Sequence, residues 1–503
     1  MERARTIMVQ GTASSAGKSV LVAALCRIFR QEGYRVAPFK AQNMALNSYV
    51  TASGGEIGRA QVVQAEAAGI LPTVDMNPVL LKPTHDTGSQ VIVMGKVLDD
   101  ISASDYYKHT PKLLKTILAA LARLRSEYDI VVLEGAGSPA EVNLKDREIV
   151  NMRIARESRS PVVLVGDIDR GGVFASLVGT LELLDKEERD LVRGLVINKF
   201  RGDVTLLRDA LDFVAVRTGK PVLGVIPYYR NIRIPQEDSV FLDERPHNGG
   251  GDLDVAVIRL PHISNYDDFD PLEEDGCMVR YVIRRADLGE PHLIVLPGTK
   301  STAADLDFLR RTGLAGAVLA KARAGTPVAG ICGGYQMLGT KIVDRDRVEF
   351  AEGEIGGLGL LHAVTEFAPE KATTQASAKV TAHTGLLAGM ADEEVTGYEI
   401  HMGHTRSREP AAFSIVGTPG TAASYADGSV NEAGTVFGTY LHGLFHNDGF
   451  RRIFLNNLRR YWGLAEVEGG AAPSRDREYD KLADLVRDSL DMKAIYRILE
   501  EPV

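Results

Sequence analysis

Apolar and polar positions alternate between two patterns over the first half of the chain. The runs "TIMVQG" (6–11), "RVAPFK" (35–40), "IVVLEGAG" (130–137), "PVVLVGDI" (161–168), "GLVINK" (194–199) and "VLGVIP" (222–227) are short and nearly continuously apolar. Such runs predict strands covered on both faces. Helical patterns such as "KSVLVAALCRIFRQEG" (18–33) lie between them. Strand and helix in alternation predict an α/β fold with a parallel, doubly wound sheet.

The stretch "DERPHNGGGDLD" (243–254) interrupts the pattern, being polar, glycine-rich and without apolar period. It reads as a linker. The α/β pattern then restarts with "DVAVIRLP" (254–261), "HLIVLPGT" (292–299), "PVAGICGG" (327–334) and "VFGTYLHG" (436–443). The expected organisation is one doubly wound domain over 1–243, a linker over 244–253 and a second doubly wound domain over 254–465. A loop and amphipathic helix follow over 466–503.

Composition narrows the function. Of 503 residues, 45% are hydrophobic and 25% charged, as in a globular protein, and the net charge of −9 argues against a general nucleic-acid binder. No apolar run approaches about 18 residues, so no membrane span is expected. The opening "MERAR" leads into a strand rather than a signal peptide, so a cytoplasmic location is expected. Cys26, Cys277 and Cys332 are far apart and form no CxxC pair. That excludes a disulfide framework and a structural zinc site built on such pairs.

"GTASSAGKS" (11–19) lies between the first strand and a long helix. A glycine-rich turn there lets backbone N–H groups converge on phosphate oxygens, and the helix N-terminus adds partial positive charge. Gly11, Thr12 and Gly17 would form the cradle. Lys18 would reach the outer phosphates of ATP, and the Ser19 hydroxyl would ligate Mg²⁺. Gly11 lies one residue further upstream than the common phosphate-loop spacing requires. Partners for such a site belong at the carboxyl ends of neighbouring strands. Those ends carry Lys40, Gln42 and Asn43, then Glu134, then Asp167 and Asp169, then Asn198 and Lys199. Lys40 and Asn198 are the candidates for contacting ATP. Glu134 and Asp167 are the candidates for Mg²⁺, a hard ion that prefers oxygen. Taken singly, each carboxylate is equally well a loop charge or a helix cap.

In "PVAGICGGYQMLG" (327–339) the apolar "PVAGI" fits a buried strand and "YQMLG" opens a helix. Cys332 then occupies a tight strand-to-helix turn, the arrangement of a nucleophile elbow. A free cysteine is usually a small buried hydrophobe, but flanking glycines that permit a sharp turn point instead to a nucleophile. The N–H of Gly333 would face a forming oxyanion, with a second donor from the "PGTKST" loop (297–302), at Gly298. A thiolate nucleophile needs a proton shuttle. His442 in "VFGTYLHGLF" follows an apolar strand; His401 and His404 in "GYEIHMGHT" are its rivals. Cys26, within an apolar helix pattern, reads as core.

An ATP site and a thiol acyl-transfer site in one chain suggest glutamine-dependent amidation. "GTASSAGKS" and "EGAGSP" resemble the loops of dethiobiotin synthetase, which activates a carboxyl-type group with ATP. "AGICGGYQMLG", "YEIHMG" and "GTYLHG" resemble the class I glutaminase domain of the cobyrinate/cobyric acid amidotransferase family. "FKAQNMALNS", "EGAGSPAEVNL", "GDIDRGGVFAS" and "RLPHISNYDDFDPL" are similar to its cobyric acid branch. The resemblance covers essentially the full chain in the family's domain order. It implies an N-terminal dethiobiotin-synthetase-like domain, a C-terminal glutaminase domain, and glutamine and a corrinoid as substrates. The implied reaction amidates the b, d, e and g carboxylates of adenosylcobyrinic acid a,c-diamide. The family's nucleophile falls on Cys332 and its catalytic histidine on His442.

One departure concerns the third member of the glutaminase site. Many such sites have His-x-Glu, whereas here His442 is followed by Gly443 and Leu444. Either another acid such as Glu399 orients the histidine or the site works as a dyad, which predicts slow glutamine hydrolysis without the acceptor. Three rival readings belong beside this one. The first is amidation of the a and c carboxylates, against which "KAQNMALNS" speaks by resemblance. The second is a cell-wall amidase–ligase pair, disfavoured by the fused order. The third is a nucleotide-switch ATPase with an inactive glutaminase domain; its early phosphate-loop lysine is absent from "GTASSA".

Overall fold

Each continuous apolar run of the first half is a parallel strand, buried along its length in the centre of the sheet and half-buried at the edge strand Val222–Pro227. The computed structural model describes residues 4–85, 88–229, 232–235, 250–418, 424–468 and 475–501. They fall into two units, Met1–Ala45 with Glu56–Glu237 and Ser474–Val503, and Leu46–Gly55 with Asp238–Pro473. The linker expected at 244–253 lies largely outside the described residues.

The first unit is built on β1 (Arg5–Gly11), β2 (Val36–Lys40), β3 (Ile130–Glu134), β4 (Val162–Asp167), β5 (Val192–Phe200) and β6 (Val222–Pro227). The sheet order is β6-β5-β4-β1-β3-β2, every pair parallel. The strand order reverses at β1, so the carboxyl ends of β1, β3 and β4 flank the crevice where α/β sheets bind ligands. Helix α1 (Lys18–Gln31) starts directly after the phosphate loop and buries Leu21, Val22, Leu25, Ile28 and Phe29 against the sheet. A small sheet of Gln42–Met44, Val79–His85, Gly88–Val93 and Lys96–Ser102 extends this unit. Its apolar stretches, "VLL" (79–81) and "VIVM" (91–94), are too short and too closely flanked by polar residues to stand out in the sequence.

The C-terminal residues form two helices, Arg475–Ser489 and Met492–Glu500, that belong to the first unit. Tyr479, Leu482, Ala483 and Val486 join the core of α1 and β6. Arg27 on α1 holds Asp480 at 2.7 Å and Asp476 at 2.9 Å. A Cβ at Gly224 would stand 2.1 Å from the Ser489 carbonyl oxygen, so glycine there is what lets β6 and the helix meet.

The second unit carries β7 (Asp254–Ile258), β8 (Met278–Val282), β9 (Leu293–Leu296), β10 (Val328–Ile331), β11 (Ala363–Val380), β12 (Glu394–Ser407), β13 (Ser429–Val430) and β14 (Val436–Thr439). Its central sheet runs β8-β7-β9-β10-β14-β13, parallel except for the last pair. The long β11 and β12 pair antiparallel in a second sheet. Among the described residues no helix is long and apolar enough to cross a membrane.

Candidate active site

The first unit gathers charge at the carboxyl ends of β1, β3 and β2. Gly17 precedes α1 in the left-handed region, at φ 96°, where a side chain is disfavoured. A Cβ there would also lie 2.0 Å from the Asn198 amide nitrogen, and that amide holds the loop by donating to the Ala16 carbonyl at 2.9 Å. Lys18 folds back over the loop and donates to the carbonyls of Ala13 at 2.9 Å and Gly137 at 3.0 Å. Gly11 leaves room for that ammonium, which would stand 3.0 Å from a Cβ. Thr12 donates its backbone N–H to Val165 on β4.

Glu134 is the hub of the site. One carboxylate oxygen accepts from the Ser19 hydroxyl at 2.8 Å and pairs with Lys40 at 2.9 Å; the other accepts from Gln64 at 2.5 Å. Gln64 lies on α2 (Arg59–Ala68), a helix from which the sequence alone singled out no site residue. Burial alone raises the Glu134 carboxyl, but Lys40, Gln64 and Ser19 together hold it below the ordinary carboxylate range. Asp167 stands on the other flank of β1. Its carboxylate pairs with Lys199 at 2.8 Å, and Lys199 also donates to the Ser15 carbonyl at 2.7 Å. The two acids expected to share a metal thus occupy different networks: Glu134 with Ser19, and Asp167 with Lys199. Asp169 pairs with Arg201.

In the second unit, Cys332 sits between β10 and helix α3 (Gly333–Leu338) at φ 53° and ψ −110°, a strained conformation for a residue with a side chain. Its N–H donates to Thr439 on β14 at 2.8 Å. The glycines are dictated by close approach: a Cβ at Gly334 would lie 1.9 Å from the Leu296 carbonyl, and one at Gly333 would meet Thr299. Cys332 is 6% exposed, and its sulfur lies 3.6 Å from the Ile400 carbonyl.

His442, just past β14, is buried and lies close enough to Cys332 to interact with it electrostatically. The group facing its Nδ1 is Asp268, at 2.7 Å, whose other oxygen accepts from the Gly443 N–H at 2.7 Å. Glu399 instead accepts from Tyr425 and lies 3.9 Å from His401, which stacks on Tyr440. The orienting acid therefore comes from the turn Tyr266–Phe269, far upstream in sequence. The signal was present in "YDDFDPL", but adjacent acids at 267, 268 and 270 do not say which one turns inward. Burial pushes the His442 imidazolium down; the Asp268 carboxylate and the Cys332 thiolate outweigh it and raise the group to about 10. The site thus favours the charged imidazolium form of His442.

Gly298 completes the ring: a Cβ there would be 2.8 Å from His442 Cε1. Its loop is fixed by Thr299, whose hydroxyl donates to Asp305 at 2.5 Å and lies 3.1 Å from the His262 carbonyl. The other cysteines differ sharply. Burial raises the Cys26 thiol far above the ordinary range, and it raises Cys277 to about 12. Neither is an available nucleophile.

Residues 7–240 match the CobQ/CobB/MinD/ParA nucleotide binding domain, and residues 254–450 match the CobB/CobQ-like glutamine amidotransferase domain. The chain is 60% identical to the cobyric acid synthase of Dehalococcoides mccartyi (strain BAV1), covering 99% of this chain and 100% of that one. It is 54% identical to that of Sorangium cellulosum over 99% of both chains. For that of Pelotomaculum thermopropionicum the identity is 53%, over 99% of this chain and 97% of the other.

Proposed function

The chain belongs to the cobyric acid synthase family, and from that premise we propose that it amidates the b, d, e and g carboxylates of adenosylcobyrinic acid a,c-diamide, using glutamine and ATP. The observation that carries the reading is the pairing of a buried Cys332–His442–Asp268 arrangement with a Lys18–Glu134–Lys40 cluster behind a phosphate loop.

In the glutaminase step the Cys332 thiolate attacks the side-chain carbonyl carbon of glutamine. The N–H groups of Gly333 and Gly298 stabilise the oxyanion. His442 gives its proton to the departing nitrogen as the C–N bond breaks, releasing ammonia and leaving a glutamyl thioester. His442 then takes a proton from the water that attacks the thioester, and glutamate leaves as the thiolate reforms. Asp268 keeps the imidazole oriented and favours its charged form.

In the synthetase step Gly11, Thr12, Gly17 and Lys18 cradle the phosphates of ATP, with Asn198 bracing the loop at Ala16. A substrate carboxylate attacks the γ-phosphorus, giving an acyl phosphate and ADP, and ammonia then displaces inorganic phosphate. Lys40 stabilises charge on the phosphoryl group in transit. The Ser19 hydroxyl and Glu134 carboxylate are hard oxygen donors already 2.8 Å apart, which suits Mg²⁺, and we assign the ion to that pair. Bound there it would neutralise phosphate charge. Asp167 contributes through Lys199 and the loop.

Mass spectrometry of the corrinoid after incubation with Mg-ATP and glutamine tests this reading. A product ladder ending at four amidations is expected. An unchanged corrinoid, with ATP and glutamine still consumed on another carboxylate, would move the assignment to a different acceptor.

A further inference from the structure

The glutaminase unit contains a piece of chain that the sequence places in the nucleotide-binding half. Leu46–Gly55 groups with the second unit, although Lys40 and Ala45 on one side and Glu56 on the other belong to the first. Its strand Ser48–Val50 is anchored by Gln375 on β11, which donates to the Val50 carbonyl, and by an apolar cluster of Val50 with Tyr398 and Ile400.

This segment meets both supports of His442. Asn47 Oδ1 accepts from the Asn265 N–H at 2.7 Å, and the Asn265 amide donates to the Ser48 carbonyl at 2.9 Å. Asn265 stands in the left-handed region, at φ 54°, and opens the turn that presents Asp268 to His442. The same Asn265 amide donates to the Tyr398 hydroxyl at 2.8 Å. Tyr398 lies against the His442 ring, with centroids 5.3 Å apart and planes 18° from parallel, while Tyr49 meets Tyr398 edge-on at 5.0 Å. Asn47 and Asn265 are each only 1% exposed, so water does not substitute for these bonds.

We propose that Leu46–Gly55 is a positioning strap, through which Asn47 sets the Asp268–His442 geometry and makes glutamine hydrolysis answer to the nucleotide-binding half. The strap begins six residues after Lys40, the residue paired with Glu134. A shift of the chain around Lys40 as ATP and acceptor bind is passed along the backbone to Asn47. From there it passes through Asn265 to the turn bearing Asp268. Asn47 touches neither Cys332 nor His442 in this scheme; it acts through Asn265.

The test compares the full-length protein with Asn47→Ala, driving amidation with glutamine or with ammonium chloride. The expected result is a fall of about tenfold or more in glutamine-driven kcat, with KM for glutamine and the ammonia-driven rate unchanged. The proposal also predicts that ATP and corrinoid stimulate glutamine hydrolysis in the wild type and that this stimulation shrinks towards onefold in Asn47→Ala. The alkaline limb of the glutaminase pH profile should move to lower pH as Asp268 loosens. If Asn47→Ala does not yield folded protein, Tyr398→Phe removes only the hydroxyl that accepts from Asn265, and it should show the same selective loss, about threefold. Parallel loss of glutamine-driven and ammonia-driven amidation, or no change in either, overturns the strap. The proposal rests on the glutaminase reading, and Cys332→Ser separates the two: persistent glutamine hydrolysis in that variant defeats the reading itself.

Discussion

The phosphate loop and the cysteine turn are both strand-to-helix junctions, and both place a residue in the left-handed region just before the helix. In the loop that residue is Gly17, at φ 96°; in the turn it is Cys332, at φ 53°. The difference follows from the ligand. A phosphate is held by backbone N–H groups, so the tightest position must carry no side chain, and Asn198 fills the space a Cβ would need. A nucleophile must itself project, so the side chain takes the unfavourable angle and its glycine neighbours absorb the crowding. The charges at rest differ as well. Lys18 is satisfied by two carbonyls and Glu134 by Lys40, Ser19 and Gln64, so phosphates must displace existing bonds. His442 is already held by Asp268 at 2.7 Å, with Cys332 nearby.

That contrast predicts which lesion spares which reaction. Cys332→Ala should lower glutamine-driven amidation by about 10³-fold or more while ammonia-driven amidation survives, because only the nucleophile is lost. Lys18→Ala should lower both by about 10²-fold or more, since phosphoryl transfer serves either nitrogen source. Parallel assays with the two nitrogen donors check both. Asp268→Asn should lower glutamine-driven kcat by about 10²–10⁴-fold, again sparing ammonia.

Asp268→Asn also carries a pH signature. In the folded protein His442 is raised from 6.5 to about 10, so the stabilising charge pair is fully present below 6.5 and is lost as pH rises through about 10. Removing the Asp268 charge should move the alkaline limb of the glutaminase profile to lower pH. An unmoved limb would mean Asp268 does not set that titration. The smallest effect is expected in the other unit. Glu134 is lowered from 4.5, so the stability it adds is present above 4.5 and is lost as pH falls through its folded value. Glu134→Gln should flatten the acid side of a Tm-against-pH curve.

The two sites were also unequally legible. The phosphate loop is read within nine residues, because its function resides in backbone that the local sequence shapes. Cys332, Gly333, Gly298 and His442 are legible for the same reason, each sitting at a strand end next to a turn. Asp268 and Gln64 are not, because they reach their partners through tertiary packing of a turn and of α2. Glu399, legible as a nearby acid, faces Tyr425 and His401 because strand alternation turns it away from Ile400 and Tyr398. The parallel sheets followed from apolar runs. The joining of 475–501 to the first unit and of 46–55 to the second did not, since neither depends on local periodicity.

The most direct test of the account measures glutamine-driven and ammonia-driven corrinoid amidation side by side in wild type, Cys332→Ser and Asp268→Asn. The account predicts that both variants lose the glutamine-driven rate and keep the ammonia-driven one. Equal loss of both rates in Asp268→Asn, or a retained glutamine-driven rate in Cys332→Ser, would contradict it.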